Sequence, residues 1–252
     1  MTDPGVAVRP RPDEVAAVGD GDHPSGGVSL ARRHALVVVL AVVSGATDAV
    51  GFLGLGGAFT SVMTGNMVLL GLGAGTGDGR LVAHAGLAIA AFVAGCVVGA
   101  RVAGTPQPGD GVWPPTVTRA LLAQLGVFAL FAIGWEAAGA HPGSSVQLPL
   151  LAVNAIALGM QSSTTQRFGV AGLSTTYLTG TLTGVAIRLA SGGGLRQAAG
   201  SLQILVGLVA GAALGGALTR WAPGCAPLVQ LVGVGGVIAV VLRTPPRSSG
   251  RR

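Results

Sequence analysis

Eight apolar runs divide the chain, at about 35–56, 59–75, 81–104, 117–138, 147–165, 173–190, 197–219 and 225–242. They are continuous rather than alternating. That pattern predicts buried helices and excludes a transmembrane β-barrel, whose strands alternate apolar and polar positions. Several runs approach or exceed the ~20 residues that span a bilayer. Residues 1–31 are rich in Pro, Gly and Asp without an apolar period and read as a disordered cytoplasmic tail. Arg32-Arg33 then opens the first run as a cytoplasmic anchor of a retained helix rather than as the head of a signal peptide.

Two of the runs are polar in their middle. "FTSVMTGNMVLLG" carries Thr64-Gly65-Asn66, and "LSTTYLTGTLTGV" carries Thr179-Gly180-Thr181. Thr and Asn compete with the backbone for hydrogen bonds and Gly weakens a helix. Both segments therefore read either as broken or re-entrant helices or as two short complete helices whose small residues pack closely. Irregular backbone survives at membrane depth only when buried in protein or lining a wet cavity.

The two segments belong to a longer correspondence. Shifting the N-terminal half by 115 residues sets Gly54, Gly57, Thr60, Thr64 and Gly65 on Gly169, Gly172, Thr175, Thr179 and Gly180. At a shift of 116, Ala91, Gly95, Gly99 and Ala103 fall on Gly207, Gly211, Gly215 and Thr219. The second block is a small-xxx-small ladder in each half, able to join the halves within one chain or to join two copies as a homo-oligomer.

With eight crossings and a cytoplasmic N-terminus, Arg101, Arg119, Arg167 and Arg220 would face outward. If 59–75 and 173–190 each enter and leave on one side, six helices cross and only Arg80 and Arg220 face outward. The positive-inside rule prefers six, with eight as the alternative. The expected fold is therefore an all-α membrane protein of about six transmembrane helices plus two short broken or re-entrant segments. Three crossings per half would invert the halves, as in secondary transporters. Residues 32–104 would form the core of the first repeat and 105–116 a loop. Residues 117–242 would complete the first repeat and then supply the second, and 243–252 would be a basic cytoplasmic tail.

Composition agrees. Of 252 residues half are hydrophobic and 10% charged, against roughly 25% charged in a soluble domain, and mean hydropathy is +0.68. The net charge of +6 comes from arginines scattered between apolar runs, so no nucleic-acid face is expected. Cys96 and Cys225 make no disulfide framework. The four histidines show no metal-ligand spacing and read as interfacial, tail or loop residues. No metal or cofactor is expected. Trp135-Glu136 and Arg220-Trp221 read as membrane-boundary pairs.

"GATDAVGFLGLGGAFTSVMTGNMVLLGLG" followed by "LGMQSSTTQRFGVAGLSTTYLTGTLTGVA" resembles the YoaK-like family of bacterial integral membrane proteins of unknown function, over about residues 35–242. Gln161-Ser162 stands where the family is associated with Gln-Asn. The resemblance implies a multi-pass inner-membrane protein and supplies no activity.

Asp48 is the strongest single signal. About 13 residues into its run, it would lie ~20 Å deep, where a charge costs at least ~2.5–3.5 kcal/mol. It reads as a proton- or cation-coupling carboxylate, or as a structural acid tying the first helix to Thr64 and Asn66. Gln161 and Ser162 occupy the corresponding region of the second half. Thr64, Asn66, Thr179 and Thr181 offer neutral oxygens to an ion or small solute, with Gly65 and Gly180 supplying the break. Gln124 and Asn154 read as interhelical contacts. A small transporter or permease is the leading reading and a non-transporting scaffold the alternative. With no Ser–His pair, second deep acid or metal cluster in the sequence, no enzyme is expected.

Overall fold

The computed structural model describes residues 30–104, 115–168, 178–192 and 194–243. Most of the tail 1–31, most of the loop 105–116, residues 173–177 of the second Thr-Gly segment and the tail beyond Arg243 lie outside them. Each of the eight runs contains a helix: α1 Leu30–Gly54, α2 Met63–Thr76, α3 Gly79–Ala103, α4 Pro115–Ala137, α5 Ser144–Thr165, α6 Leu178–Ala190, α7 Leu195–Trp221 and α8 Leu228–Leu242. Leu30 and Ala31, expected in the tail, instead open α1. Helices α1, α3, α4, α7 and α8, the last extended by a 3-10 turn from Pro223, are long and apolar enough to cross a membrane. Helix α5 has 22 residues, and its Asn, Gln, Ser and Thr make it less apolar. Helices α2 and α6 have only 14 and 13 residues, ~20 Å each and short of a bilayer core.

Helix directions follow from which residues meet. Val38, Val42 and Ala46 of α1 face Gly207, Gly211 and Gly215 of α7 in the same order, so these helices are parallel. Gly95 and Gly99 of α3 face Ile156 and Met160 of α5, also in parallel. Gln161 reaches back to Leu40 and Ser44 while Gly51 faces Leu151, so α1 and α5 are antiparallel. Gln124 meets Gln161 and Gly134 meets Leu150, so α4 opposes α5. Gln230 meets Thr47 and Gly233 meets Val43, so α8 opposes α1. Hence α1, α4 and α7 run one way and α3, α5 and α8 the other. Residues 55–78 must begin and end at one end of the bundle, and 166–194 at the opposite end. This is the six-helix arrangement and not the eight-crossing alternative, in which α1 and α3 would be parallel.

The seams correspond between halves. Gly45 lies against Leu208 and Ala212, and Gly159 against Phe92 and Cys96; Gly211 lies against Val42, and Gly95 against Ile156. Adding 114 to a position in α1, or 116 to one in α3, converts each of these contacts into its counterpart. At each of the four glycines a Cβ would strike a backbone carbonyl of the facing helix. The ladder glycines are therefore occupied within the chain, and a homo-oligomer would have to use another face.

The outer surface is apolar, with Leu130, Ile133, Val206, Val209 and Val232 all exposed. A water-facing helix bundle does not present such continuous apolar faces, and a bilayer covers them. Trp221 is exposed as a boundary residue would be, but Trp135 is not: it is buried and donates Nε1 to the Pro223 carbonyl at 2.9 Å. His84, expected at an interface, is also buried.

Candidate functional site

Beyond Gly54 the chain turns back into the bundle. Gly56 and Gly57 have φ of +95° and +83°, the left-handed region that suits glycine. Irregular backbone follows to Val62, and α2 then runs antiparallel to α3, with Leu70 beside Gly86 and Gly73 beside Val82. Gly77, in the left-handed conformation, closes α2, and the Asp78 side chain accepts from Leu81 N at 3.0 Å to start α3. Residues 55–78 thus form a re-entrant hairpin, one arm irregular and one helical.

Two buried side chains hold the irregular arm. Asp48 Oδ1 accepts from Thr60 N at 2.7 Å, Ser61 N at 2.7 Å and Thr60 Oγ1 at 3.0 Å, while Oδ2 accepts from Ser61 Oγ at 2.5 Å. Asn66 grips Phe59 on both sides, its Oδ1 accepting from Phe59 N at 2.9 Å and its Nδ2 donating to Phe59 O at 2.7 Å. The Phe59 ring stacks on Phe52 of α1 at 4.9 Å. A loop that would otherwise carry unpaired backbone into an apolar setting is satisfied by α1 on one side and α2 on the other.

Several expected site residues fall elsewhere. Asp48 keeps the depth expected of it, 13 residues past the start of its run, and lies ~9 Å inside the C-terminal end of α1. Its partners are Thr60 and Ser61, not Thr64 and Asn66. Thr64 is exposed, and Gly65 is helical without a positive φ. The break sits before that triplet, at Gly56-Gly57, because α2 needs an unbroken first turn for Asn66 to reach back to Phe59. Thr179 and Gly180 are likewise in the first turn of α6 and exposed, and Thr181 is half-buried. The stretch preceding them is outside the described residues. Ser162, the position 114 beyond Asp48, is buried.

Gln161 belongs to a second polar group. Its Nε2 donates to Leu40 O at 3.2 Å and Ser44 Oγ at 2.9 Å, and its Oε1 accepts from Gln124 at 2.8 Å. Around Thr47, the position 114 before Gln161, Gln230 Nε2 donates to Thr47 Oγ1 at 3.1 Å and Asn154 Oδ1 at 3.3 Å. The expectation of interhelical contacts for Gln124 and Asn154 agrees with these bonds. Ser44, Thr47, Ser61 and Gln230 do not stand out in the sequence, and Thr60 does so only as a repeat position. The recurring Gln-Leu pair at 124–125 and 230–231 was the signal available for Gln230.

The hinge supplies a test. A Cβ on Gly56 would strike the His84 imidazole, whereas one on Gly57 meets nothing within 4 Å. Gly57→Ala should lose about 1–2 kcal/mol from backbone strain alone. Gly56→Ala should lose more, and His84→Ala should recover part of the excess. Thermal unfolding of the four proteins measures this, and equal losses at Gly56 and Gly57 would mean the ring is not packed on the hinge.

Residues 36–241 match the model of a family described as "Protein of unknown function (DUF1275)", and the chain belongs to that family. It is 34% identical over 155 residues to the UPF0700 transmembrane protein YoaK of Bacillus subtilis (strain 168), an alignment covering 60% of this chain and 65% of that protein. The chain therefore spans just under two-thirds of the length of that curated relative. No solved structure matches. With five helices long and apolar enough to cross a membrane, the chain is a multi-pass membrane protein.

Proposed function

We propose that this chain is a small secondary transporter or permease of the bacterial cytoplasmic membrane, built as an inverted repeat. The exchange of contacts between halves carries this reading. The α1–α7 and α3–α5 seams are counterparts, and the ends at which 55–78 and 166–194 return are opposite. Such a frame can rock between two equivalent states about a central axis, with each face closed in turn. The arginines favour an orientation with the N-terminus inside, since Arg80 and Arg220 alone then lie outward among the described residues.

Asp48 is the proposed coupling group for H⁺ or Na⁺. As a carboxylate it accepts all four loop donors. Protonation would turn one oxygen into a donor, oppose the Ser61 hydroxyl and loosen the irregular arm. A sodium ion would compete with the same donors for the same oxygens. The saturation of Asp48 also favours a second reading, a static membrane scaffold in which the acid only fixes the loop. No catalytic chemistry is proposed for either.

Two measurements separate these readings. With Cys225 replaced by Ser, Gly77→Cys and His141→Cys should react with an impermeant maleimide in intact cells, and Ser191→Cys should be protected. Protection at 77 and 141 would restore eight crossings and remove the inverted repeat. Proteoliposomes screened against pooled labelled solutes under proton and sodium gradients should accumulate at least one of them. A chain that inserts and folds but moves nothing would leave the scaffold.

A further inference from the structure

The amide groups at the centre of the bundle have orientations set by the backbone. The Leu40 carbonyl can only accept, so the Gln161 atom bonded to it is Nε2. Gln161 Oε1 must then be the atom that meets Gln124, which fixes Gln124 Nε2 as the donor and leaves Gln124 Oε1 pointing elsewhere. On the other side, the Thr47 hydroxyl donates its proton to Val43 O at 2.7 Å. Thr47 Oγ1 can only accept from Gln230, which fixes Gln230 Nε2 and in turn Asn154 Oδ1 as its second acceptor. Three atoms are left over. Gln124 Oε1, Gln230 Oε1 and Asn154 Nδ2 are buried without a hydrogen-bond partner, on side chains that are 0–1% exposed. Rotating Gln161 or Gln124 alone would set two oxygens against each other, and turning Gln230 and Asn154 together would cost the Thr47–Val43 bond and still leave one amide oxygen and one NH₂ of that pair unpaired.

Unpaired polar atoms in the core of a lipid-embedded bundle are costly, and leucines would fill similar space without them. Two of the three, Gln124 Oε1 and Gln230 Oε1, come from corresponding positions of the two halves, so the feature occurs on both sides of the α1–α5 contact. Asp48, next in sequence to Thr47, is directed at Thr60 and Ser61 instead.

We propose that this belt, Gln124–Gln161 on one side of the α1–α5 contact and Asn154–Gln230 on the other, holds small neutral molecules that both donate and accept hydrogen bonds. Water is the smallest such molecule, and a polyol or a urea-like amide is the larger kind. The free groups are two acceptors and one donor. A bare cation would face the Asn154 NH₂ and an anion the two carbonyl oxygens, with no opposite charge bonded to the belt among the described residues. A neutral donor–acceptor satisfies both kinds of group. The proposal rests on the transport reading only in taking the belt as a resting point for the solute.

The test uses the full chain in lipid nanodiscs with ¹⁵N-labelled glutamine, transferred to D₂O and followed by NMR. Gln124→Leu and Gln230→Leu assign the signals. The side-chain NH₂ groups of Gln124, Gln161 and Gln230 should exchange at least about tenfold faster than the backbone amides around them, which open only by local unfolding. Exchange no faster than the neighbouring backbone would mean a dry belt and would overturn the proposal. Vesicles then identify the source. Accelerated re-swelling in glycerol or urea gradients, lowered about tenfold by either Leu variant, assigns the larger molecules, that factor being what one uncharged hydrogen bond carries. Acceleration of sucrose-driven shrinkage alone assigns water. Fast exchange with neither acceleration keeps the site and removes the transport reading. Na⁺ or K⁺ flux that depends on Gln230, with both neutral arms flat, overturns the proposal and keeps transport.

Discussion

Gly45→Ala and Gly159→Ala should each lower the thermal stability of the purified protein sharply, and by similar amounts. A Cβ at Gly45 would overlap the Leu208 carbonyl oxygen and lie 2.8 Å from Ala212 N. At Gly159 it would overlap the Phe92 carbonyl oxygen and lie 2.9 Å from Cys96 N. These obstacles are backbone atoms of a facing helix, so no rotamer change relieves them and the helix itself must move. Overpacking of this kind costs about 1–3 kcal/mol, occasionally more. Because the seams α1–α7 and α3–α5 share neither helix, the double variant should lose roughly the sum. Gly71→Ala is the control, since nothing lies within 4 Å of its Cβ position. There a helical Gly-to-Ala change should be neutral or stabilise by about 0.5–1 kcal/mol. Melting curves in detergent decide the matter: if Gly45→Ala and Gly159→Ala behave like Gly71→Ala, the close seams do not exist.

The same seams explain why so much of the fold was legible. Every apolar run contains a helix because continuous apolar sequence leaves the backbone no other way to satisfy itself in lipid. The ladders at Gly95-Gly99 and Gly211-Gly215 announced close helix contacts, since small residues matter only where another backbone approaches. Helix direction was also accessible, through the distribution of arginines. What the sequence left hidden was the location of the break. Thr64-Gly65-Asn66 looks like an interruption, yet Gly is tolerated in a helix and Asn66 works from inside α2. The chain reverses at Gly56-Gly57, where both glycines take the left-handed backbone and the His84 ring crowds Gly56. Polar partners were hidden for a related reason: Asp48 meets Thr60 and Ser61 through a loop geometry that spacing along a helix does not encode. Gln161 was recognisable as polar in an apolar setting, but its partners on α1 and α4 depend on an antiparallel register fixed by the whole bundle.

Asp48 carries the prediction that bears most directly on function. Asp48→Ala removes the acceptor for four donors at once and leaves the backbone N–H groups of Thr60 and Ser61 buried and unpaired. An unsatisfied buried donor costs about 1–3 kcal/mol, so the irregular arm should come loose. Proteolysis within 55–62 and a lowered melting temperature should report it. Asp48→Asn differs. Its Oδ1 can keep the three bonds now made by the aspartate Oδ1, and its NH₂ can donate to Ser61 Oγ once that hydroxyl turns to accept. The loop should therefore hold, with a loss of about 1 kcal/mol or less from exchanging an ionic for a neutral acceptor. What Asn cannot do is change protonation. If Asp48 couples transport, the Asn variant should be folded and should no longer respond to a proton or sodium gradient. If Asp48 only anchors the loop, Asn should match the parent protein in every flux measurement and Ala alone should fail. Gradient-driven uptake at the parent level by Asp48→Asn would therefore eliminate the acid from coupling while leaving its role as the anchor of the re-entrant arm intact.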